Sequence, residues 1–321
     1  MADARTTVFD GLLDPITGID NVLKEVAGDP KLEQPRLIYL RMHEDEPQLA
    51  LLAELLTDLL VDYALPLTKR RRANQAGTTS HSGGSTAAHS RLVREARQLL
   101  LKFTEQHKAR FGELGELLSY AVAVHYMGAA QVGSKMALKT NSNMPVHGVD
   151  GLHVRANEDG TITFFVLESK IVPNATDASR DMIESIFEYQ ADRAKLLNEL
   201  RLVNDMSNLD ALEGAQRDEA KSYFDAYSNT GNHLKRRDVH LGSLVISEEA
   251  YRDKLAYDPN ADHDAHEKHL ESLYKAKHQR FRDNLTRQAQ ARNVNLAKCE
   301  VFLIAVPDVD EFKRAFAALN P

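Results

Sequence analysis

The sequence predicts a mixed α/β fold with a small central sheet, behind a mostly helical N-terminal region. Three observations carry this. Hydrophobic periodicity changes from helical to alternating near residue 148, an Asp-Gly pair separates two alternating runs, and apolar Cys299 to Val306 leads straight into an amphipathic segment.

Taken in order, Arg36 to Met42 reads as a strand. Pro47 to Tyr63 places Leu49, Leu52, Leu55, Leu56, Leu59 and Leu60 at helical spacing. Residues 73–90, rich in Gly, Ser, Thr and Ala, are expected to form a flexible loop within an N-terminal region spanning 1–105. A helix follows over Arg91 to His107, and another after Gly112 carries Leu114, Leu117, Leu118, Ala121 and Val124 on one side. Gly148 to Arg155 and Thr161 to Ile171 then form a hairpin around Asn157-Glu158-Asp159-Gly160. One long helix is expected from Ala178 to Val203, with more helix through Tyr227. A strand at Leu241 to Ser247, a helix over Asp262 to Arg292, the strand Cys299 to Val306 and a closing helix from Asp308 to Leu319 complete a domain spanning 106–321.

Of 321 residues, 43% are hydrophobic and 27% charged, enough for a real core. No apolar run approaches the roughly 20 residues of a membrane helix, and the first residues lack the pattern of a secretory signal. The lone Cys299 excludes an internal disulfide and points to a reducing, cytoplasmic setting. A net charge of −7 argues against a protein that coats nucleic acid indiscriminately.

The chemistry concentrates on the hairpin. Alternation puts Glu168 and Lys170 on one face. If Glu158 to Gly160 form a three-residue loop, Asn157 pairs with Thr161 and Asp150 lies opposite Glu168; a two- or four-residue loop turns Asp150 to the other face. Two facing carboxylates repel, and a divalent cation relieves that repulsion better than one ammonium. Mg²⁺ suits such a pair, because one or two carboxylates, waters and a substrate phosphate complete its shell. The reaction class is metal-dependent phosphodiester hydrolysis, with Lys170 orienting the nucleophile or neutralising charge. An acid from the preceding helix would join them: Glu116, or Glu113 one turn earlier.

These residues resemble the PD-(D/E)xK nuclease superfamily through Asp150 and Glu168-Ser169-Lys170, downstream of Gly115-Glu116. More narrowly, Gly115-Glu116, Ser134-Lys135-Met136, Asn141-Ser142-Asn143, Val146 to Gly151 and Glu168-Ser169-Lys170 resemble the HamA family, nuclease subunits of the bacterial Hachiman anti-phage system. The resemblance is densest over residues 112–175. It implies a PD-(D/E)xK-like nuclease core, a superfamily-2 helicase partner (HamB-like) and DNA as substrate. It makes Asp150 and Glu168 metal ligands, Lys170 the catalytic lysine and Glu116 the helix-borne acid, with Mg²⁺ as cofactor and Mn²⁺ as substitute. Val149 stands where that superfamily usually has proline. A non-catalytic adaptor or sensor subunit, or an RNA-directed nuclease, remains the alternative.

Other motifs have plainer readings. Gly128 to Lys135 imitates a phosphate-binding loop, but its Ser-Lys order and the helix before it are wrong, so no bound nucleotide is expected. Lys135, Lys139, Lys235, Arg236 and Arg237 are candidate DNA contacts, and Lys69 to Arg72 is a further basic cluster. His263, His266 and His269 rotate around a helix start and read as solvated.

Overall fold

The computed structural model describes residues 7–26, 34–79, 84–106, 112–134, 136, 149–205, 207–256, 258 and 260–320. The strands are β1 (Leu23–Glu25), β2 (Arg36–Leu40), β3 (Met42–His43), β4 (Glu46–Pro47), β5 (Ala130–Ser134), β6 (Gly151–Ala156), β7 (Ile162–Ile171), β8 (Arg236–Ser247) and β9 (Cys299–Val306). The helices are α1 (Leu49–Asp58), α2 (Leu60–Ala64), α3 (Leu67–Thr79), α4 (Gly84–Gln106), α5 (Gly112–Met127), α6 (Ala175–Ala191), α7 (Arg193–Asp205), α8 (Gly214–Ser222), α9 (Ala265–Ala276), α10 (His278–Arg292) and α11 (Val309–Leu319).

Seven strands form one mixed sheet in the order β1-β2-β9-β8-β7-β6-β5, and β3 and β4 form a separate ribbon. Its four inner strands, β2, β9, β8 and β7, are parallel; β1 at one edge and β6 and β5 at the other run antiparallel to their neighbours. The sheet is larger than the small one expected, for two reasons. β2 pairs with β9, so Arg36 lies opposite Phe302, and the N-terminal segment joins the same sheet as the C-terminal strand. Leu37, Leu56, Tyr63, Phe302 and Phe312 belong to one buried cluster, so residues on both sides of position 105 share a core. The second reason is β5, whose sequence Ala-Gln-Val-Gly-Ser carries little β propensity and is held by pairing with β6.

The loop expected over residues 73–90 is replaced by helix on both sides of residues 80–83, as α3 and α4. The two helices lie side by side, and Leu92, Ala96 and Leu100 of α4 are buried in the main core. Tertiary burial thus outweighs a composition that reads as linker. The helix expected from Ala178 to Val203 is two helices: Asp192 ends α6, and its carboxylate accepts from the Ala194 amide to cap α7. α5, expected to be one-sided, is buried from Glu113 to Val124 because it runs between the sheet and the N-terminal helices.

Candidate active site

The hairpin register places the site. Asn157 N–H donates to Thr161 O at 2.9 Å and Gly160 N–H to Asn157 O at 3.1 Å, which leaves Glu158 to Gly160 as the three-residue loop. Gly160 has φ +76°, the left-handed conformation the last loop position requires. The ladder continues to Gly151 opposite Leu167, and Asp150 N–H donates to Leu167 O at 3.0 Å. Regular pairing ends at Gly151, and Asp150, just before β6, lies close enough to Glu168 for its charge to act on that carboxyl.

Alternation along β7 separates two faces. Phe164 and Val166 join a smaller core with Leu152, Val154 and Phe224, and Glu168 and Lys170 continue that face. Leu167, Ser169 and Ile171 turn the other way, toward α5, where Ser169 and Ile171 press against Gly115. The Lys170 Nζ donates to Glu168 Oε1 at 2.5 Å, and Ser185 on α6 hydrogen-bonds the same carboxylate. Burial and the charge of Asp150 nonetheless push the Glu168 carboxyl above the usual range, against the opposing pull of Lys170 and Ser185. Asp150 Oδ2 accepts from both the backbone N–H and the hydroxyl of Ser169, each at 2.8 Å.

Comparison with family models gives a HamA match over residues 19–319. The chain belongs to the HamA family. Membership implies a subunit of a Hachiman defence system, and the match runs through both the N-terminal strands and the sheet's far edge. No curated protein and no solved structure matches this HamA chain.

The remaining sequence candidates distribute unevenly over the HamA fold. Glu116 is buried on α5 and accepts a 2.6 Å hydrogen bond from the Tyr63 hydroxyl of α2. Burial, then the charges of Glu116, Asp150 and Glu113, hold the Tyr63 hydroxyl well above its ordinary range, so it stays a proton donor. Lys135 and Lys139 lie outside the described residues. Lys235 ends a short 3₁₀ turn, and Arg236 and Arg237 open β8. Since Arg236 pairs with Ile162 and Glu168 with Gly242, the basic cluster lies six strand positions, about 20 Å, from the carboxylates. Arg236 is engaged internally, by Asp238 at 2.7 Å and the Tyr223 carbonyl at 2.9 Å, and Arg237 pairs with Asp159 at 2.6 Å. Lys69 to Arg71 are likewise used as stitches: Lys69 pairs with Glu95, Arg70 with Asp14 and Asp62, and Arg71 with the carbonyl of Ala211.

Tyr63 and Ser185 could not have been picked from the sequence, because each reaches its carboxylate from a different helix. Among the described residues, no three His, Cys, Asp or Glu side chains form a group that could hold a metal ion. Asp150 and Glu168, near each other, offer two hard oxygen donors, which suits Mg²⁺, an ion that keeps several waters and needs only one or two carboxylates from the protein. The raised Glu168 fits as well, since a cation beside it would favour its charged form.

Proposed function

We propose that this HamA protein is the effector of a two-component Hachiman complex, a Mg²⁺-dependent nuclease that hydrolyses DNA phosphodiester bonds in the cytoplasm and works with a superfamily-2 helicase. The observation that carries the reading is the nearness of Asp150 to Glu168, whose carboxyl its charge raises, with Lys170 on the Glu168 carboxylate. A mixed sheet flanked by helices, with Glu168 and Lys170 on β7 and Asp150 just before the neighbouring β6, supports a PD-(D/E)xK-like core. The partner and the DNA substrate come from the family resemblance.

Asp150 and Glu168 would hold the ion; Glu116, the helix-borne acid of the resemblance, would have to leave the Tyr63 hydroxyl to join them. When bound, Mg²⁺ supplies Lewis-acid stabilisation of charge developing on the phosphate. Lys170 contributes a fixed positive charge 2.5 Å from Glu168, positioned to orient a water or to neutralise the phosphate as bonds change. Burial of Glu168 thins the solvent around both groups, which strengthens each electrostatic contact.

The test is Mg²⁺-dependent cleavage of supercoiled, linear and single-stranded DNA by the protein with its helicase. Glu168→Ala and Lys170→Ala should each abolish cleavage without unfolding the chain or releasing the partner. Wild-type cleavage rates in both variants would overturn the assignment.

A further inference from the structure

Ser169, the middle residue of Glu168-Ser169-Lys170, makes two bonds to a single atom. Its N–H and its hydroxyl both donate to Asp150 Oδ2 at 2.8 Å. Rotating the Asp150 carboxylate breaks both together, so the pair fixes its orientation more firmly than one donor would. The hydroxyl is in turn pressed by α5. A β-carbon at Gly115 would stand 2.9 Å from Ser169 Oγ, 3.2 Å from Ser169 Cβ and 3.3 Å from Ile171 Cγ1. Only glycine lets the helix approach this closely without shifting the serine.

We propose that Ser169 is the positioning residue of Asp150, and that Gly115 keeps it in place. The inference rests on the reading of Asp150 and Glu168 as cation ligands, and it adds a support that no ligand set contains. A metal-ligating carboxylate is oriented by its own hydrogen-bond partners, and loss of such a partner commonly costs about 10–100-fold in metal affinity. Gly115→Ala should act like Ser169→Ala, by displacing the hydroxyl instead of deleting it.

The experiment is Mn²⁺ binding to the full chain, read by electron paramagnetic resonance, for wild type, Ser169→Ala, Gly115→Ala, their double variant and Asp150→Asn, with thermal melting of each. Ser169→Ala and Gly115→Ala should each weaken Mn²⁺ binding about 10-fold. The double variant should be no weaker than either, since both substitutions break one support. A merely structural serine would move the melting temperature and leave Mn²⁺ affinity alone. Wild-type affinity in Ser169→Ala, with binding lost in Asp150→Asn, overturns the positioning role and leaves the two-carboxylate site standing. Wild-type affinity in Asp150→Asn, or no bound Mn²⁺ in the wild type, overturns the site reading and this inference with it. Should Ser169→Ala fail to fold, Gly115→Ala decides, because it keeps the hydroxyl and alters only its place.

Discussion

Two carboxylates in the molecule, Glu267 and Glu168, are both largely buried, and their surroundings are opposite. Glu267 on α9 is answered by donors on every side: the Tyr39 hydroxyl at 3.2 Å, Arg41 Nε at 3.0 Å and the Met42 N–H at 3.2 Å, with Lys24 at 3.8 Å. Tyr39 is fully buried, and burial together with Glu267 and Glu271 drives its ionisation far out of reach, so it remains a donor. Glu168 has the Lys170 ammonium and the Ser185 hydroxyl, but it also feels the charge of Asp150. The first arrangement is complete and locks α9 to the strand β2. The second sets one acid beside another, and burial with the charge of Asp150 raises the Glu168 carboxyl, the kind of perturbed pair found at binding sites more often than in structural ones.

The sharpest way to break this comparison is to neutralise each acid isosterically. Glu267→Gln removes the anion from the Tyr39 hydroxyl, Arg41 and the Met42 N–H, though Lys24 keeps Glu271, and should cost about 1–3 kcal/mol of stability in denaturant unfolding. Glu168→Gln loses attraction to Lys170 but also repulsion from Asp150, so its stability should change by less than about 1 kcal/mol. Equal losses at both positions would remove the distinction.

A second contrast lies across β6. His153 is fully buried between Tyr120 and the sheet, and burial alone lowers its pKa from 6.5 to about 3. The unfolded chain binds a proton below pH 6.5, while the folded chain resists until about pH 3. Stability should therefore be full above pH 6.5 and fall on acidification by about 1.4 kcal/mol per pH unit from this group. His153→Phe should flatten that part of the pH profile of unfolding; an unchanged slope would show that other groups govern it. The mildest expectation concerns the Arg237 and Asp159 pair at the far end of the hairpin, which is solvent-exposed. Arg237→Ala should leave the melting midpoint where it is, since salt and water screen such pairs.

Much of the site was legible because it is local. Asp-Gly at positions 159–160 specifies the turn, and the turn specifies the register from Ala156 opposite Ile162 to Gly151 opposite Leu167. At Gly115 the helix comes close to the sheet, where a β-carbon would stand 2.9 Å from the Ser169 hydroxyl oxygen. What the basic run Lys235 to Arg237 touches was not legible, for the opposite reason. Charge in a sequence says nothing about what it will pair with, and Arg236 found Asp238, the Tyr223 carbonyl and the rings of Phe164 and Phe224.

The sequence by itself determined the alternation of β6 and β7, the loop between them, the apolar strand β9 and the face shared by Glu168 and Lys170, all set by backbone geometry over a few residues. Only the tertiary structure decided that β2 lies against β9, that the segment Ala130–Ser134 is a strand, that residues on both sides of 80–83 are helical, and that Tyr63 and Ser185 reach Glu116 and Glu168. Those outcomes depend on contacts between residues far apart in the chain, whose free energy is summed over the whole core and is not written in any short stretch of it.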